Sequence, residues 1–139
     1  MDLSSSRRWV GVVLLVGAVY CLAGVVFGAL AARAGSPEVR VMWRLAAWLV
    51  SAGAFTAHIW HEHRRLQTSP QTTAFHTSVA VALGAFGLAV GASIHSLTAS
   101  SPQHFPALML LIWPVVTAVP AFVVALAATA GLAWLRREA

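Results

Sequence analysis

The chain has 139 residues, of which 59% are hydrophobic and only 9% are charged. Soluble domains carry roughly 25% charged residues, so this composition excludes an ordinary water-soluble domain and predicts a protein embedded in lipid. The net charge of +5 comes from nine basic residues, all arginine, against four acids. With so few charged residues, this excess is typical of membrane topology and anionic lipid contact, and it argues against a nucleic-acid partner.

Four apolar segments follow one another along the chain and predict a single all-α domain over residues 1–139. We expect helices at about 9–32, 39–66, 72–96 and 106–135, each reaching the roughly 20 residues that cross a hydrocarbon core. The first segment is too long for the apolar part of a secretion signal, so we expect it to be retained. Short connections force neighbouring helices antiparallel, which predicts a bundle of four transmembrane helices.

The distribution of arginine predicts the orientation in the membrane. Six arginines fall at the end of the bundle that carries both chain termini, whereas Arg33, Arg40 and Arg44 fall at the other end. Because arginine is enriched on the cytoplasmic side, we expect both termini in the cytoplasm. The expected location is the inner membrane of a bacterium.

The second segment carries a row of polar and small residues among its apolar ones. Read as a helix, these residues recur at alternating steps of four and three and therefore share one side. They are Arg40, Arg44, Ala47, Ser51, Ala54, His58, His61 and Arg65. Charged groups and imidazoles are costly in hydrocarbon, so we expect the row to face other helices or a wet cavity.

A histidine group near the end of the second segment is the main candidate for chemistry. It comprises His58, His61 and Glu62, with His76 at the beginning of the third segment. His58 and His76 are each nine residues from Gln67, so an antiparallel hairpin places them at similar depth. Three imidazoles and a carboxylate suit zinc or iron. The His-x-x-His-x-His spacing resembles, in part, the histidine boxes of membrane di-iron desaturases and hydroxylases, which carry several separate boxes.

The same residues admit two further interpretations. Haem b needs axial histidines on opposite faces of a porphyrin, and adjacent helices about 8 to 10 Å apart leave little room, so a dimer suits haem better than one chain. Alternatively, the histidines and the neighbouring Arg64 and Arg65 form a wet interfacial cluster that contacts lipid phosphates. Arg40 and Arg44, one turn apart, either bind an anion or lipid headgroup or extend to the outer interface.

Stripes of small residues run along the first and third segments and allow two helix backbones to approach closely. They contain Gly17, Gly24 and Gly28 in the first segment and Gly84, Gly87 and Gly91 in the third. We expect these glycines to form helix contacts, either within one chain or between chains.

The sequence contains no Gly-rich phosphate loop, nucleophile elbow or thiol pair, so no catalytic motif indicates a function. The predicted function is therefore based on the helix contacts. We expect a non-enzymatic membrane protein that contacts lipid and other membrane helices, as an accessory subunit or a homo-oligomeric scaffold. One alternative is a metal- or haem-binding redox protein that uses the histidine group. Another is a small channel or carrier along the polar row of the second helix.

Overall fold

The computed structural model describes the backbone of residues 3–66, 68–98 and 108–138, and the side chains of residues 9–64, 68–96 and 108–135. These residues form α1 (Leu3–Ala32), α2 (Pro37–His61), α3 (Pro70–Thr98) and α4 (Met109–Glu138). A π-helical segment, Glu62–Leu66, continues directly from α2. Successive helices run antiparallel, so the prediction of an all-α fold of four antiparallel helices is confirmed.

Three of these helices are long and apolar enough to cross a membrane. The candidate spans are Trp9–Ala32, Pro70–Ser96 and Met109–Leu135. The protein is therefore an integral membrane protein with three candidate spans. α2 is not among them, because two arginines and two histidines within its 25 residues lower its hydropathy. Of the four helices predicted to be transmembrane, three are therefore candidate spans and α2 is not.

Serine and proline define where α2 and α3 begin. The Ser36 Oγ accepts a hydrogen bond of 3.3 Å from the Val39 N–H, and Pro37 follows as the first helical residue. Ser69 repeats this arrangement before α3, where its Oγ accepts a hydrogen bond of 3.2 Å from the Thr72 N–H. Serine satisfies an amide that the first helical turn leaves unpaired, and proline lacks that amide altogether. Two sharp reversals of the chain direction result.

The centre of the fold is a close contact between α1 and α3. A Cβ built on Gly17 would lie 3.2 Å from the Ala80 carbonyl oxygen, and one built on Gly84 would lie 2.5 Å from the Tyr20 Cβ. At these separations a side chain larger than hydrogen would push the two helices apart. Glycine is therefore required at Gly84, which faces the Tyr20 side chain and the Gly17 carbonyl oxygen.

The same contact shows that α1 and α3 run parallel. Further along, Gly87 lies against Cys21 and Gly24 lies against Leu88. Residue numbers thus rise together on the two helices, which is the outcome of an up-down-up-down chain whose first and third helices touch. Connection lengths predict only that successive helices are antiparallel, so they do not predict this neighbour.

α2 and α4 flank the central pair. α2 packs mainly on α1 and α4 mainly on α3. The two flanking helices meet where Ile59 of α2, Ala74 of α3 and Ala125 of α4 form a small buried cluster. We call this the His–Glu end of the fold, because it also contains His58 and Glu62. The opposite end, where α1 connects to α2, is called the arginine end.

Large apolar side chains dominate the surface. Leu15 of α1 is 66% exposed and Leu111 of α4 is 69% exposed, and many valines and leucines resemble them. Contiguous apolar surface of this extent is unfavourable in water and favourable against acyl chains. The three apolar helices therefore indicate contact with a lipid bilayer.

Candidate functional site

The candidate site lies at the His–Glu end, where α2 passes into the π-helical segment. Glu62 is the first residue of that segment, and its backbone N–H lies against the carbonyls of both His58 and Ile59. Short π-helical turns are frequently found at functional sites. The side chain of Glu62 is completely buried.

Two residues that follow Glu62 in the chain hold its carboxylate. Oε1 lies 3.1 Å from His76 Nδ1, and Oε2 accepts a hydrogen bond of 3.0 Å from Thr68 Oγ1. The Thr68 hydroxyl is also 2.7 Å from that of Thr73, which is buried in the first turn of α3. Because Thr68 donates its only hydroxyl proton to Glu62, Thr73 donates to Thr68. Both carboxylate oxygens are therefore satisfied, as a buried acid requires.

His58 approaches the same carboxylate from α2. Its Nε2 lies 3.7 Å from Glu62 Oε1, which is an ion-pair distance for a protonated imidazole but too long for a hydrogen bond. Both ring nitrogens of His58 are buried and have no hydrogen-bond partner within the described part of the chain. An unpaired buried polar group costs free energy, so the interactions of His58 are incomplete.

Aromatic rings cover His76. The Trp9 ring of α1 stacks on the His76 imidazole with centroids 4.5 Å apart and planes 1° from parallel. Phe75 lies beside the same imidazole at 6.4 Å and is tilted by 57°. The face of an indole attracts an imidazole, and more strongly when that imidazole is protonated. Trp9 thereby joins α1 to the contact between Glu62 and α3.

The surroundings of Glu62 favour its ionised form. Burial by itself raises the pKa of the Glu62 carboxyl, but His58, Thr68 and His76 stabilise the carboxylate, and the net pKa is below its ordinary value. Thr68 and His76 do so through contacts of hydrogen-bond length, whereas His58 acts from the longer distance of 3.7 Å. We call this set of residues (His58, Glu62, Thr68, Thr73 and His76, with Trp9) the His–Glu network.

The structure brings together three of the four residues predicted for the histidine site. His58, Glu62 and His76 meet within the network, whereas His61 is exposed at the surface of α2. Among the described side chains, no group of three or more histidine, cysteine, aspartate or glutamate residues could hold a metal ion. The two buried imidazoles that haem would need both lie against the same Glu62 oxygen, Oε1. The observed arrangement is a buried network of histidines and a carboxylate.

The predicted anion-binding arginines lie at both ends of the fold. At the arginine end, Arg40 and Arg44 are exposed and line a groove between α1 and α2. At the His–Glu end, the Arg64 guanidinium lies 4.3 Å above the centre of the exposed Trp60 ring, which is a cation–π contact. The Arg65 side chain lies outside the described residues.

The polar row of α2 turns toward the interior along its middle. Ala47, Ser51 and Ala54 are half-buried and His58 is buried, whereas His61 is exposed. The predicted side is therefore occupied by contacts with neighbouring helices, from Ala47 as far as His58. At the arginine end the same row opens into the groove.

The predicted glycines divide into two groups. Those in contact with the neighbouring helix are Gly17, Gly24, Gly84 and Gly87, so the small-residue stripes meet within the chain. At Gly28 and Gly91 a built Cβ would meet nothing within 4 Å. Among the residues that the structure describes, these two positions therefore leave open space beside the backbone.

Sequence reasoning missed Trp9, Thr68 and Thr73 as members of the network. Trp9 lies at the end of a candidate span, where tryptophan commonly contacts the membrane interface. Thr68 and Thr73 lie beside the Ser69-Pro70 turn, where threonine commonly stabilises the turn itself. One signal was available for Thr73, which lies one helical turn before His76 and Thr77 and shares their buried side of α3.

No protein-family model, curated protein or solved structure matches this chain.

Proposed function

We propose that this chain is a non-enzymatic integral membrane protein that acts through helix contacts, as an accessory subunit or a homo-oligomeric scaffold. The observation that carries this proposal is the position of α2. It is the one helix of the described fold that is not apolar enough to count as a candidate span, and it lies at the edge with one side uncovered. The arginines of α2 lie on its groove side, and its uncovered side carries a patch of small residues between the large apolar Leu49 and Trp60.

The uncovered side of α2 is suited to another helix. Ala52, Gly53, Thr56 and Ala57 are all exposed, and a Cβ built on Gly53 would meet nothing within 4 Å. In lipid, helices associate through close packing of such small residues and through hydrogen bonds, because acyl chains provide no hydrophobic drive. The Thr56 hydroxyl already donates a hydrogen bond to the Ala52 carbonyl, so little free energy is lost when a second helix shields this hydroxyl from other hydrogen-bond partners.

The proposal includes an orientation. With both termini in the cytoplasm of a bacterium, the His–Glu end faces inward and the arginine end outward. The excess of arginine near the termini supports this assignment.

One observation favours a second candidate, a metal- or haem-binding redox protein. The buried His58 nitrogens without hydrogen-bond partners are the kind of groups that a cofactor ligates. An absorption spectrum and elemental analysis of gently purified protein test this candidate. A haem band, or near-stoichiometric metal that is lost in His58→Ala, would support it, and a colourless, metal-free sample would remove it.

Two matched glycine variants test the main proposal. Gly53→Leu places a large side chain on the uncovered side of α2, and Gly131→Leu does the same on α4, where the glycine is equally open. We expect Gly53→Leu to weaken association by about tenfold, because the small residues of a close contact are lost, and Gly131→Leu to have no effect.

The measurement is the size of the complex in gently solubilised native membranes, together with energy transfer between two labelled copies in liposomes. Energy transfer that is lost in Gly53→Leu identifies a homo-oligomer. A larger complex without energy transfer identifies a different partner. A particle no larger than one chain in native membranes, or equal behaviour of the two variants, would contradict the proposal.

A further inference from the structure

The groove at the arginine end lies on the side of α2 that faces α1, away from the surface proposed above for helix contacts. It has a volume of about 480 Å³, within the range of about 300 to 1,000 Å³ that small-molecule sites occupy. Its apolar lining includes Gly28 and Phe27 from α1 and Ala47 and Trp48 from α2. Gly28 is exposed in this groove, and a Cβ built on it would meet nothing within 4 Å.

Two arginines are among the residues that line this groove. Arg40 and Arg44 are four residues apart on α2, so they lie on one side of the helix, about 6 Å apart along its axis. Both side chains are exposed, and neither has a carboxylate oxygen within 4 Å among the described side chains. Guanidinium groups bind phosphate through paired hydrogen bonds, and two of them can hold one phosphate between them.

The charge at this end of the fold is not balanced by the protein. Arg33, Arg40 and Arg44 lie here, and Glu38 is the acid nearest to them in sequence. The Glu38 carboxylate interacts with Ser36, which lowers the pKa of Glu38, and it forms no ion pair with either groove arginine. An anionic ligand would supply the missing negative charge.

The apolar lining shows which kind of anion fits. A free phosphate would use only the two arginines and leave the space between Phe27 and Trp48 unfilled. A ligand with an anionic head and a hydrocarbon tail uses both parts of the groove. Arg44 is seven residues after the first residue of α2, about 10 Å along the helix, so the groove lies near one end of α2.

We propose that this groove binds an anionic phospholipid, with the phosphate between Arg40 and Arg44 and one acyl chain beside Gly28. The lipid is part of the surrounding bilayer, so it needs no entry path through the protein. Bound there, it covers part of the contact between α2 and α1, the helix on which α2 mainly packs.

Native mass spectrometry of the full chain in detergent tests this proposal. The probes are phosphatidylglycerol, which is anionic, phosphatidylcholine with the same acyl chains, and inorganic phosphate. The wild-type protein should retain one phosphatidylglycerol in preference to phosphatidylcholine. In Arg40→Gln/Arg44→Gln this binding should weaken about 30-fold, since each arginine near an anionic lipid contributes about fivefold. Arg33→Gln, with an exposed arginine at the same end, should change it little.

The Gly28→Leu variant separates a lipid from a free anion. Leucine at Gly28 adds an apolar side chain to the groove, and its Cβ would lie more than 4 Å from both groove arginines. Lipid binding should fall about threefold, because the displaced chain returns to an equally apolar environment and loses only packing contacts. Gly91→Leu, at an equally open glycine of α3, should leave binding unchanged.

The outcomes decide the proposal in either direction. Equal retention of phosphatidylglycerol by wild type and by Arg40→Gln/Arg44→Gln would overturn it. Displacement of the lipid by inorganic phosphate, with no effect of Gly28→Leu, would also overturn it by showing a simple anion site. Loss of binding in the arginine variant with retained helix content by circular dichroism, together with a selective effect of Gly28→Leu, would establish the lipid site.

Discussion

The two ends of the fold differ in the burial of their ionisable side chains. At the His–Glu end, Glu62 and two histidines are buried and lie against one another. At the arginine end, Arg40 and Arg44 are exposed on a groove, with no carboxylate within 4 Å among the described side chains. A buried polar group stabilises a fold only through its partners, whereas an exposed group remains available to a ligand. We therefore expect substitutions at the His–Glu end to change the stability of the fold, and substitutions at the arginine end to change the binding of a ligand.

Removal of the carboxylate should have the largest effect on stability. Glu62→Ala leaves His76 and Thr68 without their acceptor in a buried space, so we expect a loss of about 3 kcal/mol in the free energy of unfolding. Glu62→Gln keeps most of the hydrogen bonding and should lose less. Unfolding by denaturing detergent measures both. Glu38→Ala, which removes an exposed acid from the first turn of α2, is the control and should cost less than about 1 kcal/mol.

The two histidines of the network should differ in their contribution. His76→Leu loses the contact with Glu62 and the stacking on Trp9, which predicts a loss of about 2 kcal/mol. His58 has no hydrogen bond to lose, so His58→Leu should cost less than about 1 kcal/mol or increase stability. The same unfolding assay compares the variants. A larger loss for His58→Leu would show that the 3.7 Å contact with Glu62 is the stronger of the two.

Stability should also depend on pH through Glu62. Because the pKa of Glu62 is lowered in the folded protein, the folded state favours the carboxylate. Its contribution is complete above the unfolded value of 4.5 and is lost as pH falls through the lower folded pKa. We therefore expect wild-type stability to decrease on acidification below about pH 4.5. Glu62→Gln should show a smaller decrease, and an identical pH profile would contradict this assignment.

The smallest effect on stability should come from the arginine end. Arg40 and Arg44 are exposed and unpaired among the described side chains, so replacing both by glutamine should change the free energy of unfolding by no more than about 0.5 kcal/mol in lipid-free detergent. The same variant in detergent with added phosphatidylglycerol should be less stable than wild type, since bound ligand stabilises the folded state. A large loss without lipid would show that these arginines support the fold directly.

Hydrophobic runs predicted the four helices well, because apolar length is a local property of the chain. The π-helical segment was not predicted, since a five-residue change in hydrogen-bond pattern leaves no mark in the apolar pattern. The parallel contact of α1 with α3 was also missed. Gly17 and Gly84 indicate that a close contact exists, but they do not indicate which helix supplies the other side.

The site was predictable to a similar extent. The position of His58 and His76 at equal distances from the turn correctly placed them near each other. His61 and Glu62 lie to the left and right of His58 around the helix, about 60° and 40° away, and the sequence alone does not show which of the two is buried. The structure buries Glu62 and exposes His61, because Ile59 and Phe55 turn that side of α2 toward the small cluster with Ala74.

The most direct test of the proposed function is thiol cross-linking in native membranes. In a Cys21→Ala background, Thr56→Cys places a thiol on the uncovered side of α2, and Ala128→Cys places one on an exposed part of α4. We expect Thr56→Cys to cross-link efficiently, either to a second copy or to another membrane protein, and Ala128→Cys to remain uncross-linked. No cross-link from Thr56→Cys, or equal cross-linking from both positions, would contradict the proposal that α2 is the contact surface.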